Sequence, residues 1–256
     1  MRGFGTFYKK EITEIIRTYK ALVLGIISFI MAIMNPLIAK LTPWLMEQLS
    51  DQMKEQGFQV GKITVTANHS WEQFQKNFST LLIVIIIMLC SSYVKEYSKG
   101  TLIPLVTKGL TRTSVVLSKL LTQILLWTAC FGVYLGVSWG YTAYYWNGPD
   151  AKLILWMSLF YWLFGLFLIA WIAFFSSFLN STIQVLMGVG IVYFIYMMLG
   201  MIGKIKEYLP TWLLSSGDIL SKKQIVSDYV IAAGVTGAIT VVLIVLAVVF
   251  TKHRKL

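Results

Sequence analysis

The chain has 256 residues, of which 57% are hydrophobic and only 13% charged, and its mean hydropathy is +0.72. A soluble domain carries about 25% charged residues, so this composition excludes an ordinary water-soluble fold and implies that much of the surface faces lipid. The formal net charge of +11 is divided among short segments instead of forming one patch, which argues against a nucleic-acid surface and for a membrane-orientation signal.

Residues 1–20 lack the compact apolar region and small-residue cleavage site of a secretory signal. Phe4, Phe7, Tyr8, Ile12, Ile15, Ile16 and Tyr19 recur there at three- and four-residue spacing, opposite Lys9, Lys10, Thr13, Glu14 and Arg17. This pattern predicts an amphipathic helix in the headgroup layer, either as a plain anchor or also as a docking surface for a partner. Lys20 and Lys40 bracket a first span over 21–39, and Lys76 and Lys95 bracket a second over 77–94, both close to the length that crosses hydrocarbon. Between them, in the outer segment 40–76, Thr42-Pro43 reads as a helix start and Gly57 as a stop. Ser70 with Gln73 reads as a capping box for the second span.

After the inner loop 95–119, a third span covers 120–141 and ends on Tyr141, Tyr144, Tyr145 and Trp146, residues that favour the headgroup level. Its Gly132, Gly136 and Gly140 repeat every four residues, a spacing that admits a close helix neighbour, expected within the same chain. The next uncharged run is too long for one crossing and breaks at the polar cluster 176–184, which gives spans over 153–176 and 183–203. An outer segment, 204–228, holds Tyr208, Leu209, Trp212, Leu213 and Leu214 and is apolar enough to enter the outer leaflet. A sixth span over 229–251 completes an all-α, polytopic membrane protein.

Thirteen of the 22 basic residues fall on the side that holds both termini and the 95–119 loop, against three acidic ones. By the bias of Lys and Arg toward cytoplasmic loops, both ends are cytoplasmic. Cys90 and Cys130 lie within spans, and His69 and His253 are isolated, so no disulfide framework, metal cluster or nucleophilic dyad is indicated. No span contains Asp, Glu, Lys, Arg or His, which disfavours proton relays and intramembrane proteases. The chain has no Gly-x-x-x-x-Gly-Lys-Ser/Thr loop, so any active transport would need energy from elsewhere, most simply a separate subunit.

The loop 95–119 reads KEYSKGTLIPLVTKGLTRTSVVLSK. It resembles the loop of type-2 ABC transporter permeases, in which Glu, a short spacer, Gly-Thr-Leu, an apolar stretch and Arg precede a Lys that opens the next helix. Glu96, Gly100, Thr101, Leu102, Arg112 and Lys119 match that order. Such permeases usually carry Pro shortly before a Ser-Arg element, whereas Gly109 and Leu110 precede Thr111 and Arg112 here, and Pro104 lies earlier. The resemblance extends over nearly the whole chain, through the surface helix, the six spans and the outer segment between the last two.

That resemblance implies a non-catalytic membrane subunit in the cell membrane that binds no cofactor itself and works with a separate ABC ATPase holding ATP and Mg. It implies a coupling helix within 95–119 that enters a cleft on the ATPase, with the surface helix beside it. Leu102, Leu105 and Val106 offer an apolar contact there, flanked by Lys108 and Arg112, while Glu96 is expected to pair with a nearby Lys or Arg. It further implies short re-entrant helices in 204–228 and a second permease copy, identical or a close paralogue. The conduit between the copies is then bordered by the second and fifth spans, whose Phe78, Leu82, Ile86, Tyr193, Tyr196 and Met197 form an apolar and aromatic lining. Such a lining suits export of amphipathic peptides, as in phenol-soluble-modulin exporters; drug or lipid export, or a passive channel or membrane anchor, are the alternatives.

Overall fold

A computed structural model describes residues 3–55, 64–98, 107 and 109–253. Among these residues all regular structure is helical: α1 (Phe4–Arg17), α2 (Lys20–Glu55), α3 (Ala67–Ser98), α4 (Arg112–Tyr145), α5 (Ala151–Ser176), α6 (Thr182–Leu199), two 3-10 segments (Lys206–Tyr208 and Pro210–Ile219) and α7 (Ser227–His253). The helices α2 to α7 are each long and apolar enough to cross a membrane. A helix meets that requirement by pairing its own backbone polar groups, which hydrocarbon cannot solvate.

α5 is the central helix. Some 61% of its span is buried within the bundle, against 11% for α6, and it packs on α3, α4, α6, α7 and the longer 3-10 segment. Large rings fill the interior: Phe74 stacks on Tyr134 at 4.5 Å, Phe78 meets Tyr161 edge-on at 4.5 Å, and Trp127 stacks on Phe131 at 5.4 Å. Close approach of α5 to α4 depends on Gly165, where a Cβ would overlap the Trp127 indole. The indole N–H donates to the Trp162 carbonyl at 3.1 Å.

Several local expectations are corrected. α2 does not end near Ala39 and restart at Pro43; it runs unbroken through Pro36 and Pro43 to Glu55. Proline removes the N–H that would pair with the carbonyl four residues back, and at Pro36 that carbonyl belongs to Ala32. The Ser138 hydroxyl of α4 donates to it at 3.1 Å, so a neighbouring helix supplies the missing bond. The Asn35 amide in turn donates to the Ser138 hydroxyl at 2.9 Å, and the Asn77 amide donates to Asn35 Oδ1 at 2.7 Å. One polar chain therefore joins α2, α3 and α4 inside an otherwise apolar packing.

Ser70 is likewise not a cap. α3 begins at Ala67, the Thr66 N–H donates to His69 Nδ1 at 3.2 Å, and the Ser70 and Thr142 hydroxyls share a buried hydrogen bond at 2.6 Å. Gly132, Gly136 and Gly140 have no neighbour within 4 Å of where a Cβ would sit, so no helix of this chain packs closely on them among the described residues. In the segment after α6, Trp212 and Leu213 are buried and Tyr208 is exposed. Tyr161 donates to the Leu214 carbonyl at 2.7 Å and Tyr229 to the Ser215 carbonyl at 2.8 Å, which pins the longer 3-10 segment against α5 and α7.

Candidate functional site

Two features converge on the helices that flank the 95–119 loop. The first is the end of the bundle that carries α1. Here α4 starts at Arg112 behind Thr111, whose extended backbone and side-chain oxygen cap the helix by accepting from the Ser114 N–H at 3.3 Å, the usual role of a threonine at that position. Gly109 has φ of 95°, a left-handed conformation that glycine adopts without steric cost, and it sets the entry to that cap. Arg112 Nη1 donates to the Lys252 carbonyl at 3.2 Å, tying the start of α4 to the end of α7.

α1 lies against the first turns of α4, with Phe7, Glu11 and Ile15 on its buried face. Phe7 packs with Val115 and Leu110. Ile16 and Tyr19, expected on the apolar face, are 61% and 67% exposed. Between the two helices Lys119 Nζ meets Glu11 Oε2 at 3.0 Å and Oε1 at 3.2 Å, both side chains almost fully buried. The same ammonium donates to the Ser92 carbonyl of α3 at 3.1 Å. Lys10 adds contacts to Glu11 at 3.1 Å and Glu14 at 2.8 Å. Burial pushes the Glu14 carboxyl up, but the Lys10 hydrogen bond and the charges of Lys10, Lys119 and Lys20 outweigh it, leaving the group below its ordinary value.

Of the residues expected to couple, Gly100, Thr101, Leu102, Leu105 and Lys108, with the Glu96 side chain, lie outside the described residues. Glu11 and the burial of Lys119 went unread in the sequence. The available signal was an acid at the fourth position between Phe7 and Ile15, on the apolar stripe instead of opposite it.

The second feature is an apolar groove of about 260 Å³ between α3, α5 and α6, lined by Leu82, Ile86, Leu168, Val189 and Tyr193 among others. Leu82, Ile86 and Tyr193 of the expected lining thus come together there. The Tyr193 ring also touches Phe164 at 6.1 Å, and Tyr196 lies edge-on to Phe167 at 5.4 Å. Phe78 departs from the expected lining: it is fully buried, with its ring against Trp127, Phe131 and Tyr161. Met197 is 51% exposed on the outer face of α6 and outside the groove. The shift arises because α3 turns its Phe74 and Phe78 stripe to the bundle centre and leaves the adjacent stripe at Ile83 and Ile87 exposed.

Six apolar helices with α5 at their centre, and an amphipathic helix packed beside the loop-bearing end, define a multi-pass helical membrane protein. The chain belongs to the family described as ABC-2 family transporter protein, whose model matches residues 6–254. No curated protein matches it. Membership makes the chain a transport component embedded in the lipid bilayer, of the ABC-2 permease type, which is generally non-catalytic and implies an ABC ATPase as partner.

Proposed function

We propose that this chain is the permease subunit of an ATP-driven exporter of amphipathic peptides, working as a pair of copies with both termini in the cytoplasm of a cell-membrane protein. ATP and Mg belong to the ATPase subunit, which engages the 95–119 segment through Glu96, Gly100, Thr101, Leu102, Leu105, Lys108 and Arg112. The observation that carries the cargo class is the groove lined by Leu82, Ile86 and Tyr193, apolar except for the hydroxyls of Ser79 and Tyr193. A groove without charge accepts a hydrophobic face and offers nothing to a fully hydrated ion, whose desolvation it does not repay. Its position on α3 and α6, with Ile83, Ile87 and Ile191 exposed alongside, supports a path at the seam between two copies.

The test is to co-express the chain with its ABC ATPase, reconstitute the complex in vesicles, and compare an amphipathic helical peptide, a hydrophobic drug and a phospholipid as stimulators of ATP hydrolysis. Stimulation by the peptide, lost in Ile86→Asp, is the expected result. Stimulation by drug or lipid alone reassigns the cargo, and a chain that never associates with an ATPase overturns the reading.

A further inference from the structure

Lys119 occupies an unusual position. It lies in the third turn of α4, is 1% exposed, and its ammonium ties α4 to two other helices, through Glu11 of α1 and the Ser92 carbonyl of α3. α3 ends at Ser98 and α4 begins at Arg112, so these are the two helices that carry the ends of the 95–119 segment and join through residues 99–111. A buried ion pair contributes little net stability, because desolvation offsets most of its Coulombic gain, yet removing one partner leaves an uncompensated charge. Such a pair is best explained by the geometry it fixes. Here it holds a surface helix and both supports of the loop in one arrangement.

Other contacts at this end act in the same direction. The Ser118 hydroxyl reaches the Phe4 carbonyl at 3.5 Å, and a Cβ on Gly3 would stand 2.9 Å from Leu110 Cδ1. The start of α1 is therefore seated on the chain that leaves the loop. Arg112 extends the tie to α7.

We propose that Glu11 and Lys119 form a coupling latch: the pair makes α1 and the ends of α3 and α4 move as one body, so that displacement of the loop by an ATPase is passed to the groove-bearing helices instead of being lost as local rocking. The latch rests on the permease reading above. Glu11 and Lys119 act as positioning residues; neither touches cargo or nucleotide.

The experiment uses the full chain with its ATPase in vesicles and measures the ratio of cargo-stimulated to basal ATP hydrolysis. Glu11→Gln and Lys119→Met are expected to keep the ATPase bound while the ratio falls about tenfold, the scale of a typical coupling energy; Lys119→Arg is expected to restore it. Spin labels at Thr13 and Leu121, both exposed, give a second readout in the otherwise unaltered complex. Their separation is expected to stay the same with and without ATP, also where a single variant fails to assemble. A Glu11→Gln complex with the unaltered ratio, or a separation that changes with nucleotide, overturns the latch. An unsubstituted complex that shows no cargo stimulation at all overturns the permease reading and is thereby told apart from failure of the latch.

Discussion

Gly165 and Trp127 meet at the α4–α5 crossing, where the glycine leaves room for the indole and no more. Gly165→Ala forces a rigid, buried ring to shift, and overpacking of this kind costs about 1 to 3 kcal/mol. The expected outcome is a lower midpoint of unfolding in detergent, with a smaller loss when Trp127→Phe is introduced alongside. Nothing in the sequence singles out Gly165. It stands in a helix that is apolar on its lipid-facing and its packed sides alike, so periodicity is silent there, while the regular Gly132, Gly136 and Gly140 repeat stands on a face that this chain leaves open. Glu11 was hard to read for a different reason: its partner lies 108 positions away, and the spacing of a short amphipathic helix shows which stripe is apolar without showing which distant charge it meets.

At the level of the helix, α2 shows how tertiary contacts override a local rule. Thr42-Pro43 satisfies the pattern of a helix start, and Pro36 that of a break, yet neither interrupts the helix. The Ala32 carbonyl freed by Pro36 finds the Ser138 hydroxyl. Ser138→Ala is expected to cost about 0.6 to 1.7 kcal/mol, from the average to the largest interhelical hydrogen bond measured in a membrane protein. The same substitution costs less in a Pro36→Ala background, because the restored N–H then pairs with Ala32. A double-mutant cycle on unfolding free energy measures that difference, and equal costs in both backgrounds sink the assignment. The existence of the long helices was legible, because charged residues fence off the apolar runs. Their ends were not, since a helix continues past the hydrocarbon whenever its backbone stays paired: α2 runs on to Glu55 and α4 begins at Arg112, ahead of the expected Leu120.

For the whole molecule, the number of apolar helices and their order followed from physics that acts on composition alone. Their arrangement around α5 did not, because lipid and protein interior are equally apolar, and the sequence of α5 differs little in hydropathy from that of α2. Phe78, expected to border a conduit between two copies, illustrates this: it lies buried within the bundle, and only packing reveals which stripe of an apolar span faces inward. The groove residues Leu82, Ile86 and Tyr193, expected from the resemblance to border a path, do converge on one surface of α3 and α6.

The unbroken α2 also has a practical consequence. Thirty-six residues of helix measure about 54 Å, against about 30 Å of hydrocarbon, so the far end of α2 stands clear of the bilayer like a mast. Gln48 sits on that projecting part and is exposed, while the native Cys90 and Cys130 are buried. Gln48→Cys therefore offers a single thiol handle for a membrane-impermeant maleimide. Modification in intact cells is expected if the α1 end faces the cytoplasm, and modification only after lysis reverses that orientation. A helix that outgrows its membrane thus supplies an address label, readable without dismantling the protein.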